Sequence, residues 1–143
     1  MKDASAGVKR ILVVEDEAAI GEICAKVLTS EGLEVDIAAD GKAAEDKLQE
    51  ICYDSVLIDI RIPGMSGKEL YQSINKKHPK LANRVILTTG DVVSPATQSF
   101  LEQAARPFLL KPFTPDELKT IVRETLQKTE SNYQTSTKSL GAS

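Results

Sequence analysis

The feature that most constrains the fold of this chain is a set of short, uninterrupted apolar runs. They lie at residues 11–14, 56–58, 85–87 and 108–110. Val, Ile and Leu without polar alternation are typical of strands that are buried on both faces, as in parallel sheets covered by helices. A further run alternates Leu33, Val35 and Ile37 with acidic residues. Its period of two predicts a half-exposed strand at an edge of the sheet.

Segments with the spacing of amphipathic helices separate these runs. The clearest apolar stripe consists of Ile20, Ile23, Cys24, Val27 and Leu28, with Gly32 as its stop signal. Further helix starts are marked by capping and first-turn residues, namely Asp40, Ser66 with Glu69, Pro95, and Thr114 with Pro115 and Glu117. Strand and helix therefore alternate repeatedly, which requires right-handed crossovers and a parallel sheet. We predict an α/β, flavodoxin-like, doubly wound (βα)5 fold, a three-layer sandwich around a five-stranded parallel sheet of order 2-1-3-4-5.

The length and the apolar spacing place the ends of the domain. At 143 residues the chain suits a single domain. The apolar spacing stops after Leu126, so we predict a flexible N-terminus at 1–8, the folded domain at 9–128 and a disordered polar tail at 129–143. No apolar run in the sequence approaches the roughly 18 residues that span a bilayer, and the polar start does not resemble a signal peptide. We therefore expect a cytoplasmic protein whose domain makes no membrane contact.

The charge balance limits the class of partner. The chain has 18 basic and 21 acidic residues, a net charge of -3, and no basic run longer than a pair. That composition lacks the basic patch of a protein that binds nucleic acid or anionic lipid. We expect protein partners. Cys24 and Cys52 have no metal or redox spacing, and their apolar neighbours predict that both are small buried side chains.

Polar side chains stand where the predicted buried strands end. Glu15 and Asp16 follow the first strand, Asp59 the third, Thr89 the fourth and Lys111 the fifth. Carboxyl ends of parallel strands meet at one edge of the sheet, which is where open α/β proteins place their sites. In the predicted order the first and third strands are neighbours about 4.8 Å apart. The three carboxylates are therefore expected to share one pocket.

Three carboxylates that close repel one another unless protons or a cation offset their charge. An all-oxygen site suits Mg²⁺ or a similar hard cation such as Mn²⁺. Lys111, with the Thr89 hydroxyl, supplies the donors that the remaining oxygens of a metal-bound phosphoryl group require. Each residue alone is more often a solvated loop position than a functional one, so it is the joint pattern that predicts phosphoryl transfer.

From about Lys9 to Leu126 these residues resemble the response-regulator receiver domain of two-component signalling. The segment from Asp59 to Gly67, with Pro63 four residues after the aspartate, resembles the phosphoacceptor loop. Other matches are the acidic pair Glu15 and Asp16, the switch hydroxyl Thr89 with the small Gly90, the switch aromatic at Phe108, and the active-site lysine motif Lys111-Pro112-Phe113. Every functional position of the family's motif is filled.

The resemblance implies a mechanism. Phosphohistidine, or a small phosphodonor, transfers its phosphoryl group to Asp59, and the domain catalyses only its own phosphorylation and dephosphorylation. Mg²⁺ or Mn²⁺ is held by Asp16, Asp59 and the backbone carbonyl of Arg61, with Glu15 acting through water. Lys111 and Thr89 neutralise the transferred oxygens. A cis peptide bond is expected between Lys111 and Pro112.

The resemblance also implies an output. Thr89 moves toward the phosphate and Phe108 fills the vacated space, which changes the surface of the fourth helix, fifth strand and fifth helix. Segments 89–95 and 105–113 resemble receivers attached to hybrid histidine kinases, so the expected partner is a histidine kinase or a histidine phosphotransfer protein. If the chain is part of such a protein, the parent is a histidine kinase. We expect a monomer that does not bind DNA directly.

Three alternatives remain at this point. A stand-alone single-domain response regulator would have the same site. A flavodoxin-like cofactor binder has the same fold, but the acidic run Glu15-Asp16-Glu17 would repel its phosphate. An aspartyl-phosphate phosphohydrolase would need a second Asp two positions after the nucleophile, where this chain has Arg61.

Overall fold

The computed structural model describes residues 7–62, 64–90 and 94–127. Its sheet contains five parallel strands in the order β2-β1-β3-β4-β5. The strands are β1 (Arg10–Val14), β2 (Glu34–Ala38), β3 (Ser55–Asp59), β4 (Val85–Thr89) and β5 (Phe108–Leu110). The predicted strand order is confirmed.

Five helices connect and cover the strands. They are α1 (Ala18–Thr29), α2 (Gly41–Glu50), α3 (Gly67–Lys77), α4 (Pro95–Ala104) and α5 (Pro115–Gln127). A short helical turn, Pro79–Ala82, follows α3. The predicted alternation of strand and helix is confirmed, and the predicted tail at 129–143 lies outside the described residues. None of the helices in the described part of the chain has the length and apolarity to cross a membrane.

The sheet separates two apolar layers, because successive side chains of a strand point to opposite faces. Leu12 and Val14 of β1 pack into one layer with side chains of α2, α3 and α4. Ile11 and Val13 pack into the other layer with side chains of α1 and α5. The central strands β1 and β3 are buried along almost their whole length. This arrangement is the predicted three-layer sandwich.

The predicted helix starts form hydrogen bonds with the first turn. The Ala43 N–H donates to Asp40 Oδ1 at 2.8 Å. Ser66 and Glu69 form a reciprocal capping box, in which each side chain accepts from the backbone N–H of the other residue. Thr114 and Glu117 do the same at α5. Because these bonds satisfy donors that the helix itself leaves unpaired, they fix where each helix begins after its loop.

The prediction that 108–110 is buried on both faces was wrong. Leu109 is buried, but Phe108 is 42% exposed and Leu110 is 47% exposed. β5 is the edge strand and pairs only with β4. The face of β5 opposite Leu109 therefore remains open, although its sequence is as apolar as that of a central strand.

Two details of the predicted burial were also wrong. Ile23 of the α1 stripe is 56% exposed, whereas Cys24 and Leu28 are buried. The buried line of α1 includes Gly21 instead, which lies close to β2: an added Cβ would be 3.3 Å from Ile37 Cγ2. Cys52 is exposed. The small size of Gly21 thus sets the rotation of α1 on the sheet and turns Ile23 outward.

Candidate functional site

Three carboxylates meet at the carboxyl edge of the sheet, as predicted. Val14 and Ile58 are register partners in β1 and β3, so Glu15 and Asp59 follow at the same level. One oxygen from each of Glu15, Asp16 and Asp59 lies within 4.8 Å of the others. Glu15 and Asp59 are only 4% and 5% exposed, while Asp16 is exposed. The oxygens are close enough to share a cation, and Asp16 opens the group to solvent.

Lys111 enters this cluster from the loop after β5. Its Nζ donates to Asp59 Oδ2 at 2.8 Å and lies 2.9 Å from Glu15 Oε1. The Lys111 backbone N–H donates to the Thr89 carbonyl at 2.8 Å, which ties the loop to the end of β4. The peptide bond to Pro112 is cis, as predicted. The ammonium therefore bridges the two buried carboxylates.

Backbone N–H groups hold the outer oxygens of the same two carboxylates. The Arg61 N–H donates to Asp59 Oδ1 at 3.0 Å, and the Glu17 N–H donates to Glu15 Oε2 at 3.2 Å. Among the described residues, every buried side-chain nitrogen and oxygen has a hydrogen-bond partner. Asp59 is thus fixed by one donor at each oxygen. The metal role predicted for the Arg61 carbonyl stays a prediction.

The buried cluster contains more negative than positive charge. Burial raises the pKa of Glu15, and the hydrogen bond from Lys111 only partly opposes this effect. Burial also acts to lower the pKa of Lys111, but the hydrogen bonds to Asp59 and Glu15 outweigh it, so the pKa is raised. Among the described residues, one ammonium thus lies within a group of three carboxylates and contacts two of them. Because their donor atoms are all oxygens, the residues present fit a hard divalent cation.

The loop after Asp59 returns to the strand at Gly67. The Gly67 N–H donates to the Ile60 carbonyl at 2.9 Å. A Cβ at Gly67 would lie 2.6 Å from Ile60 Cα and 2.7 Å from the Asp59 carbonyl oxygen. Only glycine permits this approach of α3 to the backbone that carries Asp59. Sequence reasoning recognised Gly67 by its spacing, and the structure gives the steric cause.

We expect Gly67→Ala to lower the free energy of unfolding by about 2–3 kcal/mol, because the clash is with backbone that cannot rotate away. Denaturant unfolding followed by circular dichroism measures the change. Gly90→Ala is the matched control. Among the described residues, the one atom that its Cβ would meet is Lys111 Cβ, at 3.9 Å, and the substitution should change the free energy of unfolding by less than about 0.5 kcal/mol. Equal stability of the two variants would contradict the steric argument.

The predicted switch residues lie on neighbouring strands. Thr89 ends β4 and is 1% exposed, whereas Phe108 begins β5 with 42% of its surface exposed. Phe108 is the register partner of Leu87, and Thr89 is the partner of Leu110. Thr89 is therefore buried and Phe108 lies at the surface, two register positions apart along the neighbouring strands. Their movement stays a prediction.

The direct contact between Lys111 and Glu15 was missed by sequence reasoning, which gave Glu15 a role through water. The residue type at position 15 indicated this contact. A glutamate is one methylene longer than an aspartate, so it can reach across from β1 to the lysine that also holds Asp59. In the described structure Glu15 shares the ammonium with Asp59.

Residues 11–123 match the family model described as the response regulator receiver domain. The chain belongs to this family. The match covers most of the chain and includes all the predicted site residues of this receiver. It decides against the flavodoxin-like cofactor binder and the phosphohydrolase, which share only a fold or a chemistry with receivers.

Individual relatives agree with that assignment. This receiver is 30% identical over 122 residues to the DNA-binding response regulator MtrA of Mycolicibacterium paratuberculosis, covering 85% of the chain and 53% of MtrA. It thus spans about half the length of that relative. A CheY-like receiver domain from Methanospirillum hungatei has a TM-score of 0.80 and 32% identity, over 87% of this chain and 98% of that one. The response regulator TrrA of Thermotoga maritima, solved in complex with Mg²⁺-BeF, has a TM-score of 0.72 and 38% identity, over 82% and 98%.

Proposed function

We propose that this receiver accepts a phosphoryl group on Asp59 from the phosphohistidine of a histidine kinase or a histidine phosphotransfer protein. The observation that carries the proposal is the surroundings of Asp59. It lies at the end of a central strand within a group of three carboxylates, and its Oδ2 forms an ion pair with Lys111 Nζ at 2.8 Å. Membership of the family supports the same chemistry. The domain modifies only itself and turns over no separate substrate.

The transfer exchanges one bond to phosphorus for another. A carboxylate oxygen of Asp59 forms a bond to phosphorus while the phosphorus–nitrogen bond of the donor breaks. The imidazole nitrogen keeps the electron pair of that bond and takes a proton from solvent. The ammonium of Lys111 lies where negative charge gathers on the transferred oxygens, and the Thr89 hydroxyl is the second proposed donor.

Asp16, Asp59 and the backbone carbonyl of Arg61 are the proposed ligands of Mg²⁺ or Mn²⁺, with Glu15 acting through water. The support is the all-oxygen donor set and the excess of carboxylates over ammonium groups. When bound, the ion offsets the charge of the phosphoryl oxygens and of the carboxylates that surround them. The relative TrrA was solved in complex with Mg²⁺-BeF, which supports Mg²⁺ as the ion.

Phosphorylation is proposed to change the surface formed by α4, β5 and α5. The buried Thr89 moves toward the phosphoryl group, and Phe108 turns into the space that Thr89 leaves. Phe108 has the freedom to do so because 42% of its surface is in solvent. It carries no hydroxyl, so no hydrogen bond from its ring holds it outward.

The proposed partners are proteins, and the domain itself is proposed to act as a monomer in the cytoplasm without binding DNA. MtrA is named as a DNA-binding regulator, but only about half of it corresponds to this chain. The net charge of -3 disfavours binding to phosphates. A gel shift with random duplex DNA at low salt tests this, and a retarded band would overturn it. Attachment to, or partnership with, a hybrid histidine kinase stays a prediction, with a stand-alone regulator as the alternative.

The test of the proposed function is labelling with acetyl phosphate, followed by intact-mass spectrometry. We expect one added phosphoryl group per chain when Mg²⁺ is present. Chelation with EDTA should reduce the labelled fraction to background, and added Mn²⁺ should restore it. Labelling that survives chelation would contradict the role given to the acidic cluster.

A further inference from the structure

Helix α5 carries its basic and acidic residues on different faces. Lys119 and Arg123 extend toward Glu31 in the turn after α1, with nitrogen–oxygen distances of 4.0 and 2.6 Å. The acidic residues instead line an open groove of about 360 Å³ beside β5, and they are Asp116, Glu117 and Glu124. One face of α5 thus forms ion pairs within the domain, while the other presents negative charge to solvent.

The groove has an apolar floor. Leu109 of β5 and Ile121 of α5 line it together with Thr120. β5 is the edge of the sheet, and on its other side Phe108 and Leu110 are 42% and 47% exposed. An apolar region therefore continues from the groove around the edge strand, with carboxylates along one border. An apolar centre with a polar border is the arrangement found in protein interfaces.

The charges around the groove do not complement a second copy of the same surface. Within the described residues, none of the three groove carboxylates forms an ion pair. α4 contains no Lys or Arg, and its single charged residue is Glu102. The Arg106 guanidinium donates to the carbonyls of Asn83 and Val85, and Lys111 lies in the acidic cluster. Two copies facing through this surface would bring like charges together.

We propose that this groove binds a segment of a partner protein that presents apolar side chains flanked by Lys or Arg. The apolar side chains cover Leu109 and Ile121, and the basic ones lie against the α5 carboxylates. Nucleic acid is excluded by charge, since its phosphates would meet the same carboxylates. The inference rests on the proposed function only for the regulation of binding. Because β5 carries Phe108, phosphorylation at Asp59 changes how well the segment fits the groove.

The test uses the full chain and a short amphipathic peptide made of Leu and Lys, titrated by amide NMR. A peptide with Glu in place of Lys is the charge control. The Asp116→Asn/Glu124→Gln variant removes two carboxylates from the groove, and Asp46→Asn/Glu50→Gln removes two from exposed positions on α2. Both variants change the net charge equally. Each titration is run with and without Mg²⁺ and beryllofluoride.

We expect saturable binding of the Lys peptide, with shifts centred on Leu109, Thr120 and Ile121. The groove variant should bind about fivefold more weakly, as loss of two exposed charge contacts implies, and the α2 variant should bind as the original chain does. Equal weakening in both variants, or binding of the Glu peptide, would overturn the proposal. So would self-association that the groove variant abolishes. Groove binding that is indifferent to beryllofluoride supports the partner chemistry and contradicts only the proposed switch.

Discussion

Asp59→Asn is expected to reduce labelling by acetyl phosphate to background while the fold is kept. The amide has nearly the same shape as the carboxylate, so the contacts with Lys111 and with the Arg61 N–H can persist in part. It lacks the negative charge that makes an Asp59 oxygen a nucleophile toward phosphorus. Intact-mass spectrometry after incubation with acetyl phosphate and Mg²⁺ measures the labelled fraction.

The control for this substitution is Asp46→Asn. Asp46 is exposed on α2, where it pairs with Lys42 at 3.3 Å, so the variant should be labelled like the original chain. Unchanged circular dichroism and thermal unfolding would show that both variants fold. An Asp59→Asn chain labelled to the same extent as the control would place the acceptor at another residue and contradict the proposed role of Asp59.

The parts of the fold that could be predicted are those that depend on neighbours in the sequence. Capping at Asp40 and at Ser66 with Glu69 involves residues three positions apart, so a local pattern is sufficient to identify it. The polar ends of the strands could also be located, because a parallel sheet brings all carboxyl ends to one edge. The meeting of Glu15 and Asp59 follows from that rule and the strand order alone.

The errors arose where burial depends on a contact between distant parts of the chain. Phe108 and Leu110 are as apolar as the residues of a central strand, and only the position of β5 at the edge exposes them. Ile23 fits the α1 stripe, but the close approach of Gly21 to Ile37 turns it away from the sheet. An apolar pattern identifies a strand or a helix. It does not show how far a neighbouring layer extends over it.

The same limit applies inside the site. The sequence indicates that Lys111 reaches the carboxylates, but not how its ammonium is divided between them. The structure has it 2.8 Å from Asp59 and 2.9 Å from Glu15. Glu15 therefore competes with Asp59 for the same ammonium, and burial raises the pKa of Glu15 because it penalises the charged form. A bound divalent cation would relieve this competition, since it supplies the missing positive charge.

Lys111→Met is expected to slow phosphorylation of Asp59 by about 10²–10³-fold, the usual effect of removing one charged donor from a buried site. Methionine keeps much of the volume of the lysine stem and removes its charge. Asp59 remains, so labelling should be slow rather than absent, which separates this variant from Asp59→Asn. Lys111→Arg keeps the charge with a different donor geometry. Its labelling rate should lie between those of the original chain and Lys111→Met. A labelling rate within about twofold of the original chain would contradict the role of the ammonium, since such a change lies far below the loss expected of a buried charged donor.

The same variant should change how stability depends on pH. Lys111 has a raised pKa in the folded chain, so its pairing stabilises the fold at neutral pH and is lost only as pH rises through that raised value. The pKa of Glu15 is also raised, and without the ammonium it should rise further. Above that pKa, ionised Glu15 lowers the stability of the folded variant. Below the ordinary glutamate value of about 4.3, Glu15 is protonated in both the folded and the unfolded chain, and this loss of stability is absent. Lys111→Met should therefore lower the free energy of unfolding at neutral pH and much less in acid, as denaturant titrations at both pH values would show. An equal loss at both pH values would contradict the argument that the charge of Lys111 stabilises the site.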